Sequence, residues 1–134
     1  MKYIKYSMFI LLACFGLSTI GTNALQLYIN SIKLPALRGT YTTKEMNRPD
    51  SSTGQQYVVK QECTDNWSGD DRAAAARLNR TDGVDWSSSY ETLPTDSKVY
   101  YGTSSAVAGT YSVTLKATTR TASAATFIGY WHYG

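Results

Sequence analysis

Residues 110–118 read TYSVTLKAT, a stretch in which apolar and polar side chains alternate at most positions. Successive side chains of a β-strand point to opposite faces, so a period of two predicts a strand with one face in the core and one toward solvent. β-Branched and aromatic residues, which fit a pleated surface, supply more than half of the stretch. The side chains predicted to face the core are Tyr111, Val113, Leu115 and Ala117.

The chain beyond residue 24 continues this pattern, with abundant Thr, Ser, Tyr, Ala and Gly and little Leu. Residues 124–133 (AATFIGYWHY) form the predicted last strand, and residues 25–34 form a first strand that bends near Ser31 and ends before Pro35. About seven short strands separated by turns predict an all-β fold, a single-domain antiparallel β-sandwich at 25–134. The other predicted strands are 37–43, 56–64, 72–78, 86–90, 98–101 and 110–118, with a loop at 44–55.

Residues 72–78 (RAAAARL) are compatible with two structures. The helix propensity of alanine, with Asp70 or Asp71 as an N-cap, favours a short helix. A helix of this length is marginal, however, because nucleation is costly. We predict a strand that returns from the turn at 65–71 and places three apolar side chains on one face: Ala74, Ala76 and Leu78.

Residues 1–24 have the three parts of an export signal. A positively charged start precedes ten apolar residues at 8–17 (MFILLACFGL), too few to span a bilayer, which needs roughly 20. A short segment of small and polar residues then ends at Ala24. We predict a cleaved signal peptide at 1–24, a secreted, extracellular protein, and no transmembrane segment in the mature chain. A loose lipobox that ends at Cys14 offers the alternative of a lipoprotein.

The mature chain is close to electrically neutral. Without the predicted signal it has 11 basic and 10 acidic residues, a net charge of +1. Proteins that bind nucleic acid or anionic membranes need a clustered basic surface. The charge therefore argues against both classes. The partner that we predict is a cell-envelope component or another protein, with self-assembly as an alternative.

Cys63 is the one cysteine of the mature chain, so no intrachain disulfide can form. Strict alternation groups it with Tyr57, Val59 and Gln61, the more apolar set of its strand. We therefore predict a buried thiol, which behaves as a small hydrophobic side chain. The alternative is an intermolecular disulfide through Cys63.

The sequence contains no recognisable catalytic motif. It has no nucleophile elbow, no phosphate-binding glycine loop and no zinc-ligand spacing, and its one histidine, His132, lies near the end of the chain. We predict no enzyme activity, no catalytic residue, no metal site and no cofactor. A set of turn carboxylates leaves two alternatives open, a glycan hydrolase and a calcium site, although Asp is common in turns for local reasons. These residues are Asp70, Asp71, Asp82 and Asp85.

The aromatic residues are the most informative functional signal. Some must fill the core, because few Leu, Ile or Val are present. Aromatic rings exposed on a polar β surface would suit stacking on sugars or docking to a partner. The candidate binding residues are Trp67 and Trp86, which lie beside turns, and Tyr130 and Trp131 in the last strand.

The C-terminal third carries a family resemblance. The strand YSVTLKA at 111–117 and the closing run FIGYW at 127–131 resemble small secreted β-sandwich proteins of Gram-positive bacteria with the appearance of lactococcin 972-type bacteriocins. The similarity covers residues 98–134; this chain is longer before that region and contains Cys63. The resemblance implies a non-enzymatic protein that acts outside the cell at a bacterial envelope, and it transfers no site residue.

Two functional hypotheses follow. The first is a secreted, bacteriocin-like protein that acts by binding at a bacterial cell envelope. The alternative is a subunit of an extracellular fibre or surface assembly, in which the apolar strand 25–34 is donated to the open sheet edge of a neighbour.

Overall fold

The computed structural model describes residues 25–118 and 121–134, and the predicted export signal at 1–24 lies outside them. The described residues form ten strands and one short 3-10 helix at Thr103–Ala106. The strands are β1 (Gln26–Leu34), β2 (Thr40–Thr42), β3 (Met46–Arg48), β4 (Tyr57–Asp65), β5 (Ala74–Arg80), β6 (Trp86–Ser87), β7 (Glu91–Thr92), β8 (Lys98–Tyr100), β9 (Gly109–Ala117) and β10 (Ala125–His132).

The strands form two sheets, and every pairing between them is antiparallel. The front sheet has the order β1-β10-β4-β8. In the back sheet, β9 pairs with β5 on one side and with β2 and β3 on the other, while β6 and β7 both pair with β5. The predicted all-β sandwich is therefore confirmed, with ten strands in the described residues instead of about seven.

β9 has the predicted orientation, and its four apolar side chains are all buried. Its opposite face is also partly shielded, since Ser112 and Thr114 are buried as well. The Thr114 hydroxyl lies 3.0 Å from that of Thr42 and accepts a hydrogen bond of 2.9 Å from the Asn79 amide. These contacts satisfy polar groups that would otherwise be costly to bury.

The core lies between the two sheets and combines aromatic with small side chains. Its largest aromatic members that are fully buried are Trp131, Tyr101, Tyr111 and Phe127. They pack with short residues from the facing sheet, so large and small side chains fill the same layer. Burial of these groups supplies the main driving force for folding.

Residues 72–78 contribute to a strand, as predicted, and not to a helix. β5 pairs along its whole length with β9, and β6 and β7 pair with parts of its other edge. These tertiary pairings override the helix propensity of alanine. The predicted inward face is confirmed, because all three members are completely buried: Ala74, Ala76 and Leu78.

Three predicted segments differ in the structure. The predicted strand 37–43 is reduced to β2, because Leu37 and Arg38 both have positive φ angles, of 58° and 63°, in a turn. The predicted loop 44–55 contains β3, which pairs with the start of β9. The predicted strand 86–90 is interrupted, and β6 and β7 each contribute two residues to the sheet.

A bulge in β4 changes the alternation that the sequence suggests. Gly129 pairs with Lys60 while its neighbour Ile128 pairs with Glu62, so Gln61 is an extra residue. The predicted face that grouped Cys63 with Tyr57 is therefore wrong. Beyond the bulge the strand turns over, which places Val58 and Cys63 together in the core and leaves Tyr57 on the outside.

Gly129 is required by the close approach of β4. A Cβ atom at this position would lie 2.2 Å from the backbone oxygen of Val59 and 2.9 Å from the ring of Phe127. The backbone oxygen belongs to the sheet and cannot move away as a flexible side chain would. Any side chain here would push the two strands apart.

We expect Gly129→Ala to lower the free energy of unfolding by about 1–3 kcal/mol, the usual cost of overpacking. Denaturant unfolding of the purified protein measures the change. Gly54→Ala is the matched control, since a Cβ there has no atom within 4 Å. Equal stability of the two variants would contradict the packing constraint.

Candidate functional site

Four tyrosines cross the outward face of the front sheet in a row. They are contributed by four adjacent strands, β1, β10, β4 and β8, in that spatial order. The register pairs Tyr28 with Tyr130 and Tyr57 with Tyr100, so the rings lie side by side on the same face. We call this surface the tyrosine strip: Tyr28, Tyr130, Tyr57 and Tyr100.

The rings of the strip contact one another without interruption. The ring centroids of Tyr28 and Tyr130 are 6.2 Å apart, those of Tyr130 and Tyr57 are 6.4 Å apart, and those of Tyr57 and Tyr100 are 5.4 Å apart. The interplanar angles are tilted or edge-on, the arrangements that aromatic quadrupoles favour. Four strands at the usual sheet spacing give the strip a length of about 14 Å.

The two ends of the strip are exposed to solvent, whereas its centre covers a buried side chain, Val59. Tyr28 is 59% exposed and Tyr100 is 54% exposed. Val59 lies on the same face between the central rings and is only 4% exposed. The strip is therefore an ordered aromatic surface on a rigid sheet, so little side-chain entropy remains to be lost when a ligand binds.

His132 and Lys98 complete one side of the strip. The His132 ring meets the Tyr57 ring edge-on at 4.9 Å, and the Lys98 Nζ lies 4.8 Å from the centroid of the same ring. His132 Nδ1 is 3.2 Å from the backbone oxygen of Leu25, which can only accept, so Nδ1 carries a proton and donates it. Desolvation and the nearby cations Lys98 and Arg48 lower the pKa of His132. In its neutral form the ring keeps Nε2 as a free acceptor beside the strip.

A second exposed aromatic, Trp67, lies on the loop 66–71 between β4 and β5. Its side chain is 91% exposed, and it borders a hollow of about 320 Å³ with Ala122 and Ser123. Tyr57 of the strip is the first residue of the nine-residue strand β4 and the loop follows its last, so the two surfaces lie at opposite ends of that strand. Trp67 is thus exposed as a single protruding side chain, apart from the strip.

Asp65 holds the loop that carries Trp67. Its Oδ1 accepts hydrogen bonds from the backbone N–H groups of Trp67 (2.8 Å) and Ser68 (2.9 Å). Its Oδ2 accepts a hydrogen bond of 2.6 Å from Ser123 and forms an ion pair with Arg72. Ser123 and the backbone N–H of Ser68 are the largest causes of a pKa of Asp65 well below its usual range.

This carboxylate makes stability depend on pH. The pKa of Asp65 is lower in the folded state than in the unfolded state, so its ionised form stabilises the fold. This stabilisation is fully present above the unfolded pKa of about 3.9, and it is lost as the pH falls below that value. We expect the free energy of unfolding to fall as pH decreases below about 4, and we expect Asp65→Asn to flatten this dependence. Denaturant unfolding between about pH 3 and 6 measures it, with the exposed Asp50→Asn as control. If the free energy of unfolding of Asp65→Asn changes with pH as steeply as that of the native protein, Asp65 is not the group responsible.

The four candidate binding residues have different positions. Trp67 is exposed and Tyr130 belongs to the strip. Trp86 is partly buried and packs against the core. Trp131 is completely buried, and its indole N–H donates a 3.0 Å hydrogen bond to Gln56, so it is a core residue with no surface to offer a ligand.

Cys63 is a free, fully buried thiol, as the sequence predicts. Burial raises its pKa, which keeps it in the unreactive protonated form. The thiol is therefore inaccessible to a second folded copy, and the alternative of an intermolecular disulfide does not fit this structure.

The turn carboxylates are not brought together as a group. Asp70 and Asp71 are exposed beside Trp67, whereas Asp82 forms an ion pair of 2.8 Å with Arg80 on a different loop. In the residues that the structure describes, no three His, Cys, Asp or Glu side chains cluster so that they could hold a metal ion. No helix in the described ranges is long and apolar enough to cross a membrane.

Sequence reasoning found one member of the strip and missed three. Tyr28, Tyr57 and Tyr100 occupy outward positions of their strands, which alternation alone treats as polar. The available signal was that each lies in a separate predicted strand; for Tyr57 even the face was predicted wrongly, because alternation grouped it with the buried Cys63. Only the strand order of the sheet shows that these positions are adjacent to Tyr130.

Comparison of the chain with models of protein families, with curated proteins and with solved structures found no match.

Proposed function

We propose that this chain is a secreted, non-enzymatic, bacteriocin-like protein that acts by binding at a bacterial cell envelope, and that the tyrosine strip binds a glycan chain of that envelope. The observation that supports the proposal most is the continuous row of four tyrosine rings on one face of a sheet. The resemblance of residues 98–134 to lactococcin 972-type proteins and the export signal point in the same direction.

The chemistry of the strip favours a sugar polymer. A sugar ring has an apolar face of C–H groups that packs on an aromatic ring, and hydroxyl groups around its rim that need hydrogen-bond partners. Tyrosine offers both, since its ring is apolar and its hydroxyl remains hydrated. Lys98 and the free Nε2 of His132 add a donor and an acceptor at one side of the strip.

The charge of the strip separates a glycan from a single-stranded nucleic acid. Nucleic-acid platforms combine stacking rings with a positively charged groove that follows the phosphates. Lys98 is the cation in ring contact with this strip, and the pKa of His132 is lowered, which favours its neutral form. The strip therefore has one cation in ring contact with it, which suits a neutral or weakly charged polymer.

The extended form of the strip also fits a polymer. A row of rings about 14 Å long can contact several consecutive sugars, and each contact contributes little by itself. An envelope glycan repeats the same unit many times, so the rings of one strip can contact consecutive sugars of one chain together, and their contributions add because they are held on one sheet. This allows firm attachment to a cell wall without a deep pocket.

We expect Tyr28→Ala and Tyr100→Ala each to weaken binding to peptidoglycan about fivefold, because stacking on one aromatic ring contributes about 1 kcal/mol. Both side chains are more than half exposed, so the fold should remain intact. Co-sedimentation of the purified protein with insoluble peptidoglycan from a Gram-positive bacterium gives the affinity. Val84→Ala is the control, since it also truncates an exposed apolar side chain but lies outside the strip. Unchanged binding in the tyrosine double variant would reject the strip as the binding surface.

Growth inhibition tests the bacteriocin-like action separately. We expect purified protein, residues 25–134, to produce a zone of inhibition on a lawn of related Gram-positive bacteria, and we expect the tyrosine double variant to produce a smaller one. Binding without inhibition on any strain would remove the bacteriocin-like part of the proposal and leave the glycan-binding part. Inhibition unaffected by the tyrosine substitutions would place the activity elsewhere on the molecule.

The fibre-subunit alternative remains a prediction with a clear experiment. Segment 25–34 already forms an edge strand of its own front sheet, where β1 pairs with β10 and buries Ile29 and Leu34. If this strand is used within one chain, deletion of residues 25–34 should unfold the protein. A stable, folded deletion variant that regains a strand from an added 25–34 peptide would instead favour donation between subunits.

A further inference from the structure

A cavity opens at the side of the sandwich where β1 and β2 face each other. Its volume is about 240 Å³, and its lining is largely apolar with one cationic side chain, Lys44. We call it the edge cavity. Its other lining residues are Leu27, Tyr28, Ile29, Ile32, Tyr41 and Thr43.

The loop 66–71 presents a side chain of complementary form. Trp67 is almost entirely exposed, which is rare for tryptophan because its exposure forgoes a large favourable burial. The loop below it is fixed by the hydrogen bonds to Asp65 and by a 2.9 Å bond from the Asn66 N–H to the backbone oxygen of Ala124. The indole is therefore held away from the protein surface by an ordered base.

The edge cavity has the size and polarity that an indole requires. An apolar cavity of about 150 Å³ accommodates a benzene ring in another protein, so about 240 Å³ gives room for a bicyclic ring. The charges beside the edge cavity and beside Trp67 are also of opposite sign. Lys44 lines the cavity, while Asp70 and Asp71 are exposed on the same loop as Trp67.

We propose that Trp67 of one copy inserts into the edge cavity of a second copy, with Asp70 and Asp71 facing Lys44. The occupant of the cavity is thus another molecule of this chain. None of the residues that line the edge cavity belongs to loop 66–71. A copy whose Trp67 is bound therefore still has a free cavity, and a copy whose cavity is filled still has a free Trp67. Such a head-to-tail contact is heterologous and produces open chains of subunits unless its rotation closes a ring.

The contact is small, and the association is accordingly weak. One aromatic anchor with a charged rim falls below the area of a standard stable interface, which gives expected dissociation constants between about 10 µM and 1 mM. On an envelope surface, where copies are concentrated, such a contact would be populated. It acts apart from the tyrosine strip, with one shared residue, Tyr28.

Sedimentation velocity and light scattering over a dilution series up to about 1 mM test the proposal. We expect the average mass of the protein to rise with concentration, and we expect Trp67→Ala to remove this rise, since truncation of an aromatic anchor weakens binding about 30-fold or more. Tyr100→Ala is the control, an exposed ring outside both partners of the contact. A strictly monomeric native protein at 1 mM, or equal association of the Trp67→Ala variant, would overturn the proposal.

A charge exchange identifies the cavity as the second partner. Lys44→Glu and Asp70→Lys each place like charges across the contact, so we expect each alone to weaken association two- to fivefold at low salt. Mixing the two variants restores opposite charges in every contact between unlike copies, and we expect association to return. Both positions are exposed, so neither change should affect folding. Failure of the mixture to associate more strongly than either variant alone would show that Trp67 does not bind at the edge cavity.

Discussion

The register between β4 and β10 is the constraint on which both the core and the tyrosine strip depend. The two strands can lie as close as they do because Gly129 has no side chain, and the extra residue Gln61 lets β4 keep its hydrogen bonds on both sides of the bulge. A shift of one residue in a strand exchanges its two faces. Without the bulge, either Val58 or Cys63 would leave the core.

The same bulge explains why the tyrosine strip exists. On the N-terminal side of the bulge, Val58 faces the core, so Tyr57 must face outward. There it lies between Tyr100, its paired residue on β8, and Tyr130, which pairs with Val59 two residues further along β4. Core packing and the position of Tyr57 in the strip are therefore set by one backbone irregularity, and a change that relieved it would alter both.

The sequence predicted the long strands well because their signal is local. Residues 110–118 and 124–133 both became strands, and in 110–118 the predicted face points inward. The short strands β3 and β7 carry no such signal, since two or three residues become a strand only when a partner is already in place. The exchange of faces at Gln61 was equally hidden, because a bulge is defined by the opposite strand.

Functional positions were harder to predict than the fold for a related reason. Composition identified aromatic residues as the signal, but Trp131 proved to be core while Trp67 is almost fully exposed. Whether a ring is buried depends on the strand order and on loop geometry, and a local sequence pattern predicts neither of them. For the strip, the decisive information was that β8 and β1 lie at opposite edges of one sheet.

The exposed rings are consistent with the charge of the chain. A protein with a large net charge keeps its copies apart, and one near neutrality does not. The mature chain has a predicted net charge of +1, so little repulsion opposes the burial of Trp67 or of the strip against a partner. The apolar surface of these rings that stays exposed after folding can therefore be buried against a partner. Asp65 fixes the backbone of the loop from which Trp67 projects, through the hydrogen bonds that it accepts from Trp67 and Ser68.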